Sequence, residues 1–236
     1  MQISYIFYFG EVELSYIWRQ ATPEAKVIIF CLFILSVVVW SVITSKIIQM
    51  RRAKRLNQLF ELEYNKLTNI LGIYDRNIQV DGCPLYSIYR QGCYVLNARL
   101  QSPEGRRARY ISIKSMEHVK RALEGAVAQE AIRLESGLIL LAIAVSGAPF
   151  LGLLGTVWGV MSTFARVGMA GEATLTAMAP GVAAALVTTV AGLLVAIPSM
   201  FCYNWLVHNL RVMTVQLDNF AQDLASKIEA EYLAED

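Results

Sequence analysis

The sequence predicts an all-α membrane protein with three transmembrane helices that are extended by long cytoplasmic helices. Of its 236 residues, 56% are hydrophobic and 17% are charged, against roughly 45–50% and about 25% in soluble domains. The apolar residues form three long blocks, and nearly all charges lie between or after them. A bilayer demands this segregation, because a charge at the centre of a spanning helix costs at least ~2.5–3.5 kcal/mol.

Residues 1–22 form a short segment rich in aromatic residues, with two glutamates, Glu11 and Glu13. This mixture predicts an amphipathic segment at the periplasmic membrane interface, where Trp and Tyr rings are favoured. The alternative is a frayed terminus. A cleaved signal peptide is not expected, because the basic cluster follows the first apolar block instead of preceding it.

The first transmembrane helix is predicted over residues 23–48. Thr22, Pro23 and Glu24 form a typical helix start, and the following run is long enough to span ~30 Å of hydrocarbon. A basic cluster follows directly: Lys46, Arg51, Arg52, Lys54 and Arg55. The positive-inside rule places this cluster in the cytoplasm and the N-terminus in the periplasm.

Residues 49–135 are predicted to form a cytoplasmic, mostly helical region. Between Lys46 and Arg133 lie 16 of the 21 Lys and Arg residues. Apolar residues recur at helical spacing over 52–71, 85–100 and about 106–135, and Gly- and Pro-containing stretches separate these segments. Without a basic low-complexity tail, a nucleic-acid partner is not expected. Cys83 and Cys93 form no CxxC pair and have no nearby His pair, so a zinc site is not expected. No cofactor of another kind is expected either.

The second and third transmembrane helices are predicted over residues 136–165 and 173–207, and residues 166–172 form a periplasmic hairpin between them. Arg166 and Glu172 are the charges of this hairpin. Residues 208–236 return to the cytoplasm as an amphipathic C-terminal helix.

Both of these spans are rich in small residues. Lipid supplies no hydrophobic drive between helices, so small residues are needed for close helix–helix contact. The residues predicted to serve this packing are Gly152, Gly155, Gly159, Pro180, Gly181 and Gly192.

Four threonines are the main polar groups of the two spans: Thr156, Thr163, Thr188 and Thr189. Their hydroxyls can line a narrow water-filled path. The alternative is that each hydroxyl bonds to a carbonyl of its own helix, as Thr does readily in membranes. Neither apolar core contains Asp, Glu, Lys, Arg or His. If the protein moves protons, the titratable group must therefore come from a partner, or the path must be water alone.

Two motifs in these spans resemble the MotA/TolQ/ExbB proton channel family. The first is Pro149-x-x-Gly-Leu-Leu-Gly-Thr-Val-Trp-Gly-Val-Met161, and the second is Ala179-Pro-Gly-Val-Ala-x-Ala-Leu186. Thr189, Gly192-Leu193, Ala196-Ile197-Pro198 and Tyr203-Asn204 extend the match. Three spans make the chain nearer to TolQ and ExbB than to MotA, which has four.

The resemblance implies a homopentamer in the bacterial inner membrane whose apolar pore holds the single-span helices of a TolR- or ExbD-like partner. The partner's membrane aspartate would carry protons, and the proton motive force would drive work on a TolA- or TonB-like protein. The family's pore threonines fall on Thr156 and Thr189. The short segment before the first span favours a TolQ-type over an ExbB-type system. An enzyme is not expected.

One position departs from the family pattern. TolQ and ExbB usually carry a glutamate after Pro-Gly-x-Ala in the third span, and this chain has Ala184 there. A role for that carboxylate therefore cannot be carried over. Its loss favours the competing hypothesis, a non-conducting membrane scaffold for envelope partners.

Overall fold

The computed structural model describes residues 21–67, 69–76, 80–101, 108–171 and 174–233, and most of them are helical. The helices are α1 (Pro23–Tyr64), α2 (Gly72–Asp75), α3 (Pro84–Leu100), α4 (Ile113–Glu135), α5 (Leu138–Ala170) and α6 (Leu175–Tyr232). Of these, α1, α5 and α6 are long and apolar enough to cross a membrane. For the described residues, the predictions of a helical fold and of three helices long and apolar enough to cross a membrane are thus confirmed.

The chain folds into two compact units. The apolar unit comprises residues 21–44 and 137–204, and the polar unit comprises residues 45–136 and 205–233. Both α1 and α6 contribute residues to each unit. The predicted interfacial segment 1–22 lies outside the described residues except for its last two, and Glu172 of the predicted hairpin also lies outside them.

The apolar unit is built from α5 and the apolar parts of α1 and α6. Thr22 begins α1 as predicted, because its Oγ1 accepts a hydrogen bond of 3.3 Å from the Ala25 amide. Leu32, Ala148 and Ala196 form the centre of the packing between the three helices. Large side chains such as Phe30 and Phe150 remain exposed on the outside, which suits a surface that faces lipid or another apolar helix.

The polar unit has a core of large side chains. Five aromatic rings from α1, α3 and α6 pack together with centroids 5.2–6.4 Å apart. These are Phe60, Tyr64, Tyr86, Tyr89 and Phe220, which we call the aromatic cluster. Fully buried aliphatic residues continue this core through α3, α4 and α6: Leu96, Leu123, Leu217, Leu224 and Ile228.

The first long helix ends at Tyr64, although the apolar spacing continues to Leu71. Tyr89 explains the difference. Its hydroxyl donates a hydrogen bond of 2.5 Å to the Ile70 carbonyl and accepts one of 3.0 Å from the Tyr74 amide. These tertiary contacts hold the chain in a turn, which leads into the short α2 at Gly72.

The end of α4 is capped, and a short break separates it from α5. Lys46 Nζ donates hydrogen bonds to the Leu134 carbonyl (3.2 Å) and to Gln49 Oε1 (2.8 Å). Gly137 then adopts a left-handed backbone with φ of 83°, and α5 begins at the next residue. A side chain is strained at such a φ, so glycine allows the break between the two helices.

Candidate functional site

The contact between α5 and α6 depends on glycines that leave no room for a side chain. A methyl group added at Gly155 would lie 2.6 Å from Thr188 Oγ1, and one at Gly159 would lie 2.7 Å from the Ala185 methyl. At Gly152 it would lie 2.9 Å from the Thr188 carbonyl oxygen. The backbones of the two helices therefore approach closely along this face.

The same contact continues in both directions. Gly181 of α6 faces Thr163 of α5, and a methyl group there would lie 2.7 Å from the Thr163 Cγ2. At Gly192 a methyl group would lie 2.5 Å from the Ala148 carbonyl oxygen. Residue numbers rise along one helix as they fall along the other, so the two helices run antiparallel. Pro180 is half-buried inside α6, next to Gly181.

Three of the four predicted pathway threonines meet at this contact. Thr156 Oγ1 of α5 is hydrogen bonded to Thr189 Oγ1 of α6 and lies 3.3 Å from Thr188 Oγ1. We call Thr156, Thr188 and Thr189 the hydroxyl cluster. Thr188 is completely buried, whereas Thr156 and Thr189 are half-buried at its edge.

Backbone carbonyls complete the cluster. Thr188 Oγ1 lies 2.7 Å from the Ala185 carbonyl oxygen and 3.0 Å from that of Gly152. Thr156 Oγ1 lies 3.1 Å from the Gly152 and 3.3 Å from the Ala185 carbonyl oxygen. The hydroxyls of Thr156 and Thr188 thus each reach a carbonyl of their own helix and one of the facing helix, so the two interpretations of these two threonines are not mutually exclusive.

Thr163 is separate from the hydroxyl cluster. Its hydroxyl donates a hydrogen bond of 2.8 Å to the Gly159 carbonyl of its own helix, and its side chain is buried against Gly181. This is the geometry of a packing residue whose hydroxyl is satisfied locally.

The stretches of α5 and α6 that contain the hydroxyl cluster carry no formally charged side chain. From Leu138 to Phe164 and from Leu175 to Val207 the sequence has no Asp, Glu, Lys, Arg or His. Among the described residues there is also no group of three His, Cys, Asp or Glu side chains that could hold a metal ion. Hydroxyls can donate and accept hydrogen bonds and hold water, but they do not ionise at physiological pH.

Ala184 lies in a contact that sequence reasoning missed. It is 2% exposed and packs with Ala21 and Ala25 at the beginning of α1. Small side chains from two distant parts of the chain thus meet where the family pattern has a carboxylate. No local sequence signal identifies this contact, although the small residues on each helix are compatible with it.

The chain is similar to proteins of one family. The family model described as the MotA/TolQ/ExbB proton channel family matches residues 94–219, more than half of the chain. A biopolymer transport protein ExbB from Neisseria meningitidis is 26% identical over 213 residues, which cover 90% of this chain and 96% of that protein.

Two further relatives match the chain over shorter segments. An ExbB from Xanthomonas campestris is 42% identical over 113 residues, 48% of this chain and 45% of that protein. A Tol-Pal system protein TolQ from Pseudomonas aeruginosa is 45% identical over 89 residues, 38% of each chain. The chain therefore spans less than half the length of these two relatives.

Proposed function

The chain belongs to the MotA/TolQ/ExbB proton channel family, and from this premise we propose that it is the channel subunit of a proton-driven machine that works on the cell envelope. It is a multi-pass membrane protein with three apolar helices. In the proposed assembly it converts the proton motive force into mechanical work on a TolA- or TonB-like protein.

The hydroxyl cluster is the observation that carries this proposal. Thr156 and Thr189 place two linked hydroxyls at the edge of an otherwise apolar contact. Hydroxyls in such a place stabilise a proton carrier or a short file of water, whereas an apolar wall would exclude both. A passive anchor has no comparable need for them.

The proton-carrying group is proposed to come from a partner. The apolar stretches of α5 and α6 contain no ionisable residue, and proton-moving membrane proteins rely on titratable groups within the membrane. A TolR- or ExbD-like single-span helix with a membrane aspartate supplies this group. The half-buried edge of the hydroxyl cluster is where we place that aspartate.

Orientation and assembly belong to the same proposal. We propose a homopentamer in the bacterial inner membrane, with the N-terminus in the periplasm and the C-terminus in the cytoplasm. The basic residues after the first span support this orientation. The exposed large apolar side chains of the apolar unit are available to face lipid, neighbouring copies and the partner.

A TolQ-type system is the specific form that we propose. Relatives named for both systems match the chain, so the host phenotype is the deciding observation. Deletion of the gene is expected to impair outer-membrane integrity and cell division. Loss of nutrient import through TonB-dependent receptors, with an intact outer membrane, would instead assign the chain to the ExbB type.

Proton flux tests the proposed function. The chain, co-expressed with the neighbouring single-span protein, is reconstituted into liposomes, and flux is measured under an imposed potential. We expect flux with the wild-type chain and a fall of at least about tenfold in the Thr156→Val, Thr189→Val double variant, which loses the hydrogen bonds of both hydroxyls.

The matched control is Thr44→Val. Thr44 lies on α1, and its hydroxyl bonds only to the Trp40 carbonyl at 2.9 Å among the described residues, so its loss is expected to leave flux unchanged. Undiminished flux in the double variant would contradict the proposed role of the cluster. Absence of flux in a complex that does copurify would favour the non-conducting scaffold.

A further inference from the structure

A groove of about 440 Å³ opens between α1 and α4 within the polar unit. Its α1 wall consists of residues spaced three and four apart, which share one face of the helix. Residues from the end of α4 and the loop before α3 form the opposite wall. The residues used below are Ser45, Ile48, Gln49 and Arg52 of α1, Asp81 and Gly82 of the loop, and Glu130, Arg133 and Leu134 of α4.

The α1 wall of this groove lies at the depth of lipid headgroups. The predicted first span ends at Ile48, and Arg52 follows four residues later, about 6 Å further along a helix. The polar layer on each side of a bilayer is roughly 5–7 Å thick, so the Arg52 side chain lies within reach of it. This placement is the same whichever side of the membrane the polar unit occupies.

Two opposite charges on the groove have no partner. Arg52 lies across Gly82, because a methyl group added at Gly82 would be 3.7 Å from Arg52 Nε and 4.0 Å from its Cζ. Asp81, the residue before Gly82, is exposed and lines the same groove. Neither Arg52 nor Asp81 has a hydrogen bond or an ion pair with another described residue. Both charges are therefore available to a ligand.

The other charges near the groove leave this pair undisturbed. Glu130 Oε1 lies 3.5 Å from Arg133 Nη1, so these two side chains neutralise each other. Lys46 is buried, and its ammonium donates to Gln49 Oε1 and to the Leu134 carbonyl, which are neutral acceptors on the groove wall. The α1 side of the groove thus keeps a positive charge that no carboxylate cancels, which favours a phosphate beside Arg52.

We propose that this groove binds the headgroup of an aminophospholipid, a lipid such as phosphatidylethanolamine that carries a phosphate and a primary ammonium group. The Arg52 guanidinium donates to the phosphate, whose oxygens match its planar fork, and the Asp81 carboxylate accepts from the ammonium. Ile48 is 61% exposed on the membrane side of the same helix face and contacts the acyl chains. The inference requires only that the chain spans a membrane, so it is independent of the proposed proton flux.

Lipid titration of the purified full-length chain, followed by native mass spectrometry, tests the proposal. Phosphatidylethanolamine, phosphatidylcholine and phosphatidylglycerol are compared with identical acyl chains. We expect the first to bind about fivefold more tightly than phosphatidylcholine, because a trimethylated ammonium has no N–H to donate to Asp81. Equal affinities of these two lipids for the wild-type chain would overturn the inference.

Two substitutions separate the two charges of the site. Arg52→Gln should weaken binding of phosphatidylethanolamine about fivefold, the effect of losing one exposed charged partner. Asp81→Asn should remove the preference for phosphatidylethanolamine over phosphatidylcholine. The same substitution should leave phosphatidylglycerol bound as tightly as before or more tightly, because this anionic lipid gains nothing from a carboxylate.

Arg55→Gln is the matched control. Arg55 belongs to the same basic stretch of α1 but does not line the groove, so affinity for phosphatidylethanolamine should stay within about twofold of wild type. Equal losses in Arg52→Gln and Arg55→Gln would indicate diffuse attraction to the basic stretch and would overturn the inference. An unchanged lipid preference in Asp81→Asn would overturn it as well.

Free phosphoethanolamine distinguishes a lipid site from a site for a soluble compound. It carries both charges but no acyl chains, so we expect it to compete at least about tenfold more weakly than the lipid. Competition as strong as that of the lipid would assign the groove to a soluble phosphate compound and would overturn the lipid proposal.

Discussion

The apolar and polar units pack their helices in opposite ways. In the apolar unit, α5 and α6 meet through glycines, small side chains and hydroxyls, with their backbones close together. In the polar unit, α1, α3 and α6 meet through rings and leucines. The surroundings explain this difference. Burial of large apolar groups drives helices together in water, whereas lipid provides no hydrophobic drive between helices. The polar unit should therefore suffer most from removed atoms, and the apolar unit from added ones.

Truncation of the aromatic cluster should have the largest effect. Phe60 is buried and contacts four other rings of the cluster, so Phe60→Ala should cost about 3–5 kcal/mol of the free energy of unfolding. Hydrogen exchange should increase first in α3. The neighbouring Leu59 is more than half exposed, and Leu59→Ala should change little. Equal losses of stability in Phe60→Ala and Leu59→Ala would show that the polar unit does not depend on its buried rings.

Addition of a single methyl group should damage the apolar unit. In Gly192→Ala the new methyl would lie 2.5 Å from the Ala148 carbonyl oxygen, and overpacking of this kind costs about 1–3 kcal/mol. Thermal unfolding in detergent measures the loss. Gly147→Ala is the matched control on α5, because nothing lies within 4 Å of its added methyl. If Gly192→Ala unfolds at the wild-type temperature, the contact between α5 and α6 accommodates the added methyl group without loss of stability.

Loss of the hydroxyl should lower the stability of the protein at one tyrosine of the aromatic cluster and preserve or raise it at another. Tyr89→Phe leaves the Ile70 carbonyl and the Tyr74 amide without their partner and should cost about 2 kcal/mol. The buried Tyr64 hydroxyl has no hydrogen-bond partner among the described residues, so Tyr64→Phe should be neutral or stabilising by up to about 1 kcal/mol. Chemical unfolding of both variants checks this pair, and a large loss in Tyr64→Phe would point to a partner for that hydroxyl.

Alkaline pH should weaken the polar unit through the same side chains. Burial raises the pKa of both Tyr64 and Tyr89 above the ordinary tyrosine value. A raised pKa in the folded state means that this stability is complete below about pH 10, the unfolded value, and is lost as the pH rises further. The melting temperature should fall above that pH, and less steeply in Tyr64→Phe. An unchanged slope in this variant would exclude Tyr64 as a cause.

The smallest effect is expected at the surface of the polar unit. Lys120 Nζ lies 2.8 Å from Glu229 Oε2, with both side chains about two-fifths exposed. Such pairs contribute less than about 1 kcal/mol and weaken with salt, so Glu229→Gln should lower the melting temperature slightly at low salt and not at high salt. The more exposed and longer Glu117–Arg121 pair provides the control, since Glu117→Gln should have no measurable effect.

The sequence predicted features that depend on local pattern. The three apolar helices follow from length and composition, and the threonines and glycines of α5 and α6 could be identified by residue type alone. The position of Thr188 between the Gly152 and Ala185 carbonyls could not be predicted, because it depends on how two helices are aligned. The end of α1 at Tyr64 could not be predicted either, because the Tyr89 hydroxyl that bonds to the Ile70 carbonyl belongs to another helix.

The alanine at position 184 has an electrical consequence. Packed against Ala25, it leaves the apolar stretches of α5 and α6 without a fixed charge. A membrane voltage does work only on charge, about 2.3 kcal/mol per elementary charge for each 100 mV, so it exerts no net pull on these two helical stretches. In the proposed assembly the voltage therefore acts on the proton and its carrier and not on these two stretches.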